Sequence, residues 1–270
     1  MTQAAREIAP AKLNLALHVR HRMPDGRHAI ETVFAFCTDG DRLNAEPARG
    51  LTLEVTGPFA ADLGNADDNL VLRAARALAE RAGVRGGAAI RLEKRLPVAS
   101  GIGGGSADAG AALRLLTSVW GIDPAHAQAV APGLGGDVPA CLLSMAARGE
   151  GAGDQLQLVD LGDVSGSPVL LVNPRVALST ASVFDAWDGI DRGVLQDWRS
   201  GRNDLQAPAI AQVPQIETLL AWLAAQPGSS FVQMSGSGAT CFALFDTEEN
   251  RDQAGDRVPR EWWRLATFLR

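Results

Sequence analysis

Leu96-Pro97-Val98-Ala99-Ser100-Gly101-Ile102-Gly103-Gly104-Gly105-Ser106-Ala107-Asp108-Ala109 decides how the chain is read. Four glycines fall within positions 101–105, and Ser106 closes them directly ahead of an apolar-periodic helix. Glycine permits positive φ and lets a backbone approach a ligand with no Cβ in the way. The helix that follows presents unpaired N–H groups and the positive end of its dipole to whatever the loop holds. Loop and helix together make an anion cradle, most naturally for phosphate. A Walker A loop would need a lysine after the last glycine, and none follows. A Rossmann fingerprint would put a third glycine where Ser106 stands, after a buried strand. Instead, Ile90–Leu96 alternates apolar and charged residues, as a half-exposed antiparallel strand does. A flexible linker would not be flanked so tightly by a strand and a strong helix.

Composition sets the outer bounds. With 270 residues, 46% of them hydrophobic, the chain can bury a full core in one or two domains. The net charge is −6 and no basic tract occurs, which argues against nucleic acid as a partner. The sequence has no charged-then-apolar leader and no apolar run of spanning length, which predicts a cytoplasmic protein without a membrane partner. Cys37, Cys141 and Cys241 are odd in number and far apart, fitting buried free thiols in a reducing cytosol. Tyrosine is absent, so any aromatic stacking must come from Phe, Trp or His.

Along the chain, Leu13, Leu15, Leu17 and Val19 alternate with Lys12, Asn14, Ala16 and His18. This predicts a strand with one core face and with Lys12, Asn14 and His18 on the other. A turn follows at Pro24-Asp25-Gly26, then strands at 31–37 and 51–55. Asp67-Asp68-Asn69 caps a helix whose Leu70, Val71, Ala74, Ala75, Leu78 and Ala82 share a face, and Gly83 stops it. The next helix is expected from about Ser106 to Trp120, with short helices over 124–144 and a hinge at Gly149–Gly153. Strands at 168–172 and 240–245 and a helix near 215–225 complete the pattern. Alternating strands with interspersed helices argue for α+β, not for a doubly wound parallel sheet.

Three segments stand out together: Pro10-Ala11-Lys12-Leu13-Asn14-Leu15, the glycine loop, and Met234-Ser235-Gly236-Ser237-Gly238-Ala239-Thr240. Their order and character resemble the three motifs of the GHMP kinase superfamily, small-molecule kinases with their own glycine loop. Pro24-Asp25-Gly26-Arg27-His28, Leu96-Pro97 and Gly136-Asp137-Val138-Pro139 narrow the resemblance to the branch acting on a cytidylyl-linked alcohol. It runs from residue 8 to about residue 245. The resemblance implies a two-domain α+β fold. Residues 1–157 would form a ribosomal-protein-S5-like ATP-binding and catalytic domain, and residues 158–270 a ferredoxin-like α/β sandwich that closes over substrate. It implies ATP and Mg²⁺ as cofactors and transfer of the γ-phosphoryl group to the 2-hydroxyl of a diphosphocytidyl-linked methyl-polyol, in the non-mevalonate route to isoprenoids. A monomer or weak homodimer is expected.

Phosphoryl transfer to an alcohol needs a phosphate cradle, a base for the hydroxyl, and positive charge at the moving group. Pro97, Val98, Ala99, Ser100, Gly101, Ile102, Gly103, Gly104, Gly105, Ser106 and Ala107 supply the cradle. Asp137, in a glycine-rich turn, suits the base, and Lys12 suits the charge and would hold Asp137 ionised. The resemblance gives both residues these catalytic roles. Singly, Lys12 also reads as an exposed strand lysine and Asp137 as a turn residue capping the next helix. The resemblance points to Asn69 and Lys94 for adenine, with a helix cap and a solvated strand end as their plain alternatives. The Ser106 hydroxyl suits a phosphate oxygen or Mg²⁺, or a helix N-cap. Asp108 stands where the family more often has Asn. A carboxylate there repels phosphates unless it points away or a metal intervenes.

On the substrate side, Asn14 would orient the alcohol or the lysine, while Thr180 and Phe184 match the segment flanking the cytidine ring. Arg27 replaces the usual Tyr, and its planar guanidinium can stack as an aromatic does, which predicts a sandwich of Arg27, cytosine and Phe184. His28 would read the cytosine edge, and Ser235, Gly236, Ser237 and Gly238 would pack on the phosphate site. Asp154 receives no role. A metal site built on His18, His21 and His28 lacks convergent ligands. A serine hydrolase lacks the nucleophile elbow. The remaining rivals are a GHMP kinase for homoserine, mevalonate or a sugar, and a non-catalytic nucleotide-binding module.

Overall fold

The computed structural model describes residues 5–63 and 68–270. Asp67, one of three residues expected to cap the first helix, lies outside them. The chain divides into two compact units. One holds Met1–Ala11, Asp39–Val98 and Gly103–Ser144, and the other Lys12–Thr38, Ala99–Ile102 and Met145–Arg270. Two long strands, β1 (Ala5–Arg22) and β2 (His28–Ala48), contribute to both, far exceeding the short strands read from their apolar cores.

In the first unit, β3 (Thr52–Thr56), helix α1 (Leu70–Ala82) and β4 (Gly87–Glu93) form a crossover that returns β4 parallel to β3. β4 also pairs antiparallel with Arg42–Ala48 of β2, so it is shared between a parallel and an antiparallel neighbour rather than purely antiparallel. Its alternation is real: Ala88, Ile90 and Leu92 are buried while Arg91 is exposed. Asn69 Oδ1 accepts from Val71 N at 2.9 Å and so caps α1, and Gly83 ends it at φ 67°. Helix α2 (Gly104–Trp120) follows the glycine loop, and α3 (Pro124–Val130) and α4 (Val138–Leu143) pack on it. Arg114 of α2 donates to the carbonyls of Cys141 and Leu142, tying down the C-terminal end of α4.

In the second unit, Thr32–Phe34 of β2 pair with β5 (Ala147–Glu150), which pairs with β6 (Gln155–Leu158). The glycines expected to form a hinge therefore turn a tight hairpin. Gly153 N donates to Glu150 O, and a Cβ on Gly149 would lie 2.6 Å from the Phe34 ring. Next come β7 (Pro168–Asn173), α5 (Thr180–Asp185), α6 (Gln206–Gln212), α7 (Gln215–Ala224), β8 (Ser229–Met234), β9 (Cys241–Phe245), α8 (Glu248–Asp256) and β10 (Trp263–Phe268). The last four strands mentioned form an antiparallel sheet in the order β10-β7-β9-β8. Strand, helices, two strands, helix and strand in that order make the β-α-β-β-α-β ferredoxin-like arrangement. Its core gathers Leu170, Val172, Ile216, Leu219, Met234 and Phe245.

The stretch between α5 and α6 has little regular structure of its own and is held by charge. Glu31 accepts from Leu195 N at 2.6 Å and pairs with Arg20 and Arg148. Arg148 returns a hydrogen bond to Leu195 O, and Arg20 reaches Asp191. Among the described residues, no helix is long and apolar enough to cross a membrane.

Gly110 shows where the first unit is tightest. A Cβ there would meet Cys141 C at 2.6 Å and Leu142 N at 2.7 Å, both backbone atoms of α4. Helix propensity alone makes Gly→Ala favourable by about 1 kcal/mol. The clash reverses the sign, so Gly110→Ala is expected to destabilise by about 1–3 kcal/mol, as overpacked cores do. Thermal or urea unfolding of the variant checks this.

Candidate active site

In the second unit the polar face of β1 is enclosed. Lys12, Asn14 and His18 do share a face, but they are only 3%, 2% and 3% exposed, so β1 is buried on both sides and Lys12 is no ordinary exposed strand lysine. Buried polar atoms must find partners. The Lys12 ammonium donates to Asn14 Oδ1 at 2.8 Å, Asn14 Nδ2 to Thr32 Oγ1 at 2.8 Å, and Thr32 to the carbonyl of Ala16 at 2.6 Å. Asn14 thus accepts from the lysine ammonium and fixes its position. Lys12 N donates to Ile102 O at 3.0 Å, which fixes the lysine against the glycine loop through its own backbone. His18 uses both ring nitrogens within the fold, one against Gly193 O and one accepting from Arg202 N.

The same stretch of loop packs on the last glycine segment. Ser235 Oγ donates to Gly101 O at 3.0 Å, and Thr240 N to Ser100 O at 3.1 Å. Gly101 has φ 79°, and a Cβ there would lie 2.4 Å from Ser235 O. Only glycine fits. Gly236 lies equally close, its ideal Cβ 2.7 Å from Gly101 O and 3.3 Å from Asn14 Oδ1. Asn203 Nδ2 donates to the carbonyls of Met234 and Gly236 and holds this segment from behind. Thr180 Oγ1 and Ser237 Oγ meet at 2.9 Å.

In the first unit, α2 begins at Gly104, with Gly103 at φ 64° taking the cap position. Ser106 thus lies inside the first turn and does not cap the helix, because the glycines before it are themselves helical. The bond from Ala107 N to Gly103 O closes the first turn and leaves the N–H groups of Gly104, Gly105 and Ser106 directed at the helix's N-terminal end. These donors, with the helix dipole, are what an anion cradle requires. Asp137 precedes α4, and its side chain makes no capping bond to that helix, so the capping alternative is not observed.

Lys94 departs from the solvated strand end that was its plain alternative. It is 1% exposed, not at a solvated strand end, and its ammonium is enclosed between Asp41 Oδ2 at 2.5 Å and Asp108 Oδ2 at 2.6 Å. Its backbone N–H and carbonyl are taken by Thr56 O and Phe59 N, so its contribution lies in holding the loop's root. Asp108 points away from the loop, into this cluster, and is pushed up to about 8 by burial and by the Asp41 charge, against the pull of Lys94. Burial alone would lower Lys94, yet its two carboxylate neighbours hold it above the usual lysine range.

At the expected cytidine end, the ring stacked on Phe184 is His28, with centroids 5.0 Å apart and 29° between planes, and Trp187 meets His28 edge-on at 5.7 Å. Arg27 instead pairs with Asp25 at 2.8 Å and lies 3.9 Å from Asp154. The ring against Phe184 is thus His28, while the Arg27 guanidinium lies beside two carboxylates, one of its own turn and one of the neighbouring hairpin. Burial, followed by the Arg22 charge, holds His28 below the usual histidine range, with Asp185 opposing.

Sequence reasoning missed Thr32, Asp41, Trp187 and Asn203. Each is an isolated residue of ordinary type whose partners lie far along the chain, as with Asp41 and Lys94, 53 positions apart.

The family described as GHMP kinases N terminal domain matches residues 69–145, and GHMP kinases C terminal matches residues 185–265. The chain is 52% identical to a 4-diphosphocytidyl-2-C-methyl-D-erythritol kinase of Rhizorhabdus wittichii, over 98% of this chain and 94% of the relative. It is 49% identical to a protein of the same name from Novosphingobium aromaticivorans, over 98% and 93%. A crystal structure of 4-(cytidine 5'-diphospho)-2C-methyl-D-erythritol kinase superposes with TM-score 0.83 at 32% identity, covering 98% of both chains. A homoserine kinase of Cytophaga hutchinsonii shares the fold at TM-score 0.74 and 16% identity. The chain belongs to the GHMP kinases, ATP-dependent phosphotransferases with a two-domain α+β fold.

Proposed function

We propose that this kinase transfers the γ-phosphoryl group of ATP to the 2-hydroxyl of 4-diphosphocytidyl-2-C-methyl-D-erythritol, in the non-mevalonate route to isoprenoids. The substrate is the one in the names of relatives about half identical over nearly the whole chain. The observation that carries the chemistry is Lys12: a buried cation, oriented by Asn14 and bonded through its backbone to Ile102 of the glycine loop. Such a fixed charge stabilises a transferring phosphoryl group without reorganising. The N–H groups at the start of α2 receive the ATP phosphates, Asn69 lies on the adenine side, and Asp137 accepts the proton of the attacking hydroxyl.

Mg²⁺ fits this donor set. It is held mainly by nucleotide phosphates with one or two protein oxygens, and the Ser106 hydroxyl, released from capping, is such an oxygen. Bound there, the ion would neutralise phosphate charge. Thr180, Ser235, Gly236, Ser237 and Gly238 line the acceptor side, and Phe184, backed by the His28 ring, gives the cytosine a stacking face. The reading carries with it residues 1–157 as the catalytic domain and 158–270 as the substrate-side domain. It also carries a cytoplasmic enzyme, monomeric or weakly dimeric, with no nucleic-acid partner.

ADP release from ATP and Mg²⁺ tests the assignment, with the cytidylyl acceptor set against homoserine, mevalonate and galactose. Turnover with the cytidylyl acceptor alone is expected, and turnover with a control instead overturns the substrate. Asp137→Asn is expected to keep ATP binding while turnover falls by roughly two to four orders of magnitude. Phe184→Ala should raise KM for the cytidylyl acceptor about tenfold, given about 1–3 kcal/mol per stacked base. Arg27→Ala should change it by less than about twofold, since that side chain is committed to Asp25. Steady-state kinetics on both variants separate the two residues.

A further inference from the structure

Arg175, between β7 and α5, has a backbone that its residue type disfavours. Its φ is 59°, in the left-handed region that glycine occupies freely and a side chain does not. A buried asparagine holds it there. Asn173, 3% exposed, accepts from Arg175 N through Oδ1 at 2.7 Å and donates from Nδ2 to Thr240 Oγ1 at 2.9 Å. Thr240 directly follows the last glycine segment, and Thr180 Oγ1 meets Ser237 Oγ of that segment at 2.9 Å. Between these two ties, a Cβ on Gly238 would lie 3.3 Å from Leu178. Residues 173–180 therefore run along 237–240, the acceptor side in the reading above. Pro174 and Leu178 are buried and Val176 packs on the core, which leaves Arg175, Ala177 and Ser179 exposed. Only the first of these carries a charge.

We propose that Arg175 binds the diphosphate bridge of the acceptor and so helps to set its specificity. This rests on the cytidylyl reading above. The acceptor in the relatives' names joins cytidine to its polyol through two phosphates, and each of them is negatively charged. Such a bridge calls for a cation. Thr180, Ser235, Gly236, Ser237 and Gly238 offer hydroxyls and N–H groups without charge, and Phe184 offers a ring. Arg20, Arg22, Arg27, Arg192, Arg199 and Arg202 of the same unit each have an aspartate partner. Among the described residues, the Arg175 guanidinium has neither an ion pair nor a hydrogen bond, and only its backbone N–H is engaged. Its planar fork can take oxygens from two phosphates at once. A strained φ persists only where the surroundings over-determine it, and such residues gather at ligand sites. Here the surroundings are Asn173 and Thr240, which place an uncommitted cation where the acceptor's charge has no other counterpart.

Calorimetry with CDP and with cytidine tests this, on the full chain with Mg²⁺ and a saturating non-hydrolysable ATP analogue. The two probes share ring and ribose and differ only in the phosphates. The unaltered protein is expected to bind CDP more tightly than cytidine, by a margin that shrinks as salt rises. Arg175→Gly removes the fork and relaxes the left-handed backbone, so folding is not at risk. Its Kd for CDP should rise about tenfold, while its Kd for cytidine stays within about twofold. Arg175→Lys keeps the charge without the fork and should fall between. In turnover, the loss should appear as a higher KM for the cytidylyl acceptor, with KM for ATP unmoved. Arg175→Gly binding CDP as the unaltered protein does would overturn the proposal. Equal losses for CDP and cytidine would overturn it too, as the mark of a changed loop shape, and so would an unaltered protein with no preference for CDP. In each of these cases, turnover of the cytidylyl acceptor would leave the kinase reading standing. An unaltered protein that binds neither probe and transfers nothing to that acceptor would sink the reading and the proposal together.

Discussion

Burying both faces of β1 is the constraint on which the site depends. A strand with one wet face could carry Lys12, Asn14 and His18 without consequence, since water would satisfy them. With all three nearly inaccessible, every donor and acceptor must find a protein partner. The chain of bonds from Lys12 through Asn14 and Thr32 to Ala16 O is the result. Burial thus turns a flexible four-carbon side chain into a fixed charge. The same enclosure draws Ser235 and the 101–102 stretch of the loop against the strand, so cation and loop are aligned by one network.

What the sequence made legible was whatever local chemistry decides. The φ of +67° at Gly83, the Asn69 cap and the face of α1 depend only on neighbours three or four residues away, and each stands where periodicity placed it. The glycine loop was legible for the same reason. Long-range burial was not. Alternation in β1 is the same pattern whether the polar face meets water or Thr32, so the strand was read as half exposed. β2 runs for 21 residues through Asp39, Gly40 and Asp41, a string that looks like a turn until its partners are known. Gly149–Gly153 carries glycine for close packing on Phe34, and composition alone cannot tell that from flexibility. Kinship with a family supplied the functional reading, but only the structure shows which residues stand behind the motif residues.

Asp108 illustrates how a departure from a family's usual residue is absorbed. Read in sequence, a carboxylate beside a phosphate cradle is a defect. In the fold it turns inward to Lys94, so the repulsion is met by an ammonium and not by the nucleotide. Arg27 shows the opposite outcome. Its guanidinium, suited by type to stacking, lies beside Asp25, and the ring against Phe184 is that of His28. Residue type proposes a role, and the nearest strong partner decides it.

The charge-held stretch between α5 and α6 has an evolutionary consequence. Because Leu195 is fixed through both its N–H and its carbonyl, by Glu31 and Arg148, the anchor reads backbone and is indifferent to the side chain. Exposed Ile190 and Val194, both ahead of Leu195, are free to vary in identity. The spacing from Asp191 to Leu195 is not, since deleting one residue would pull a backbone amide away from a half-buried carboxylate. In this segment, length is more tightly constrained by the fold than composition, the reverse of what an irregular loop ordinarily experiences.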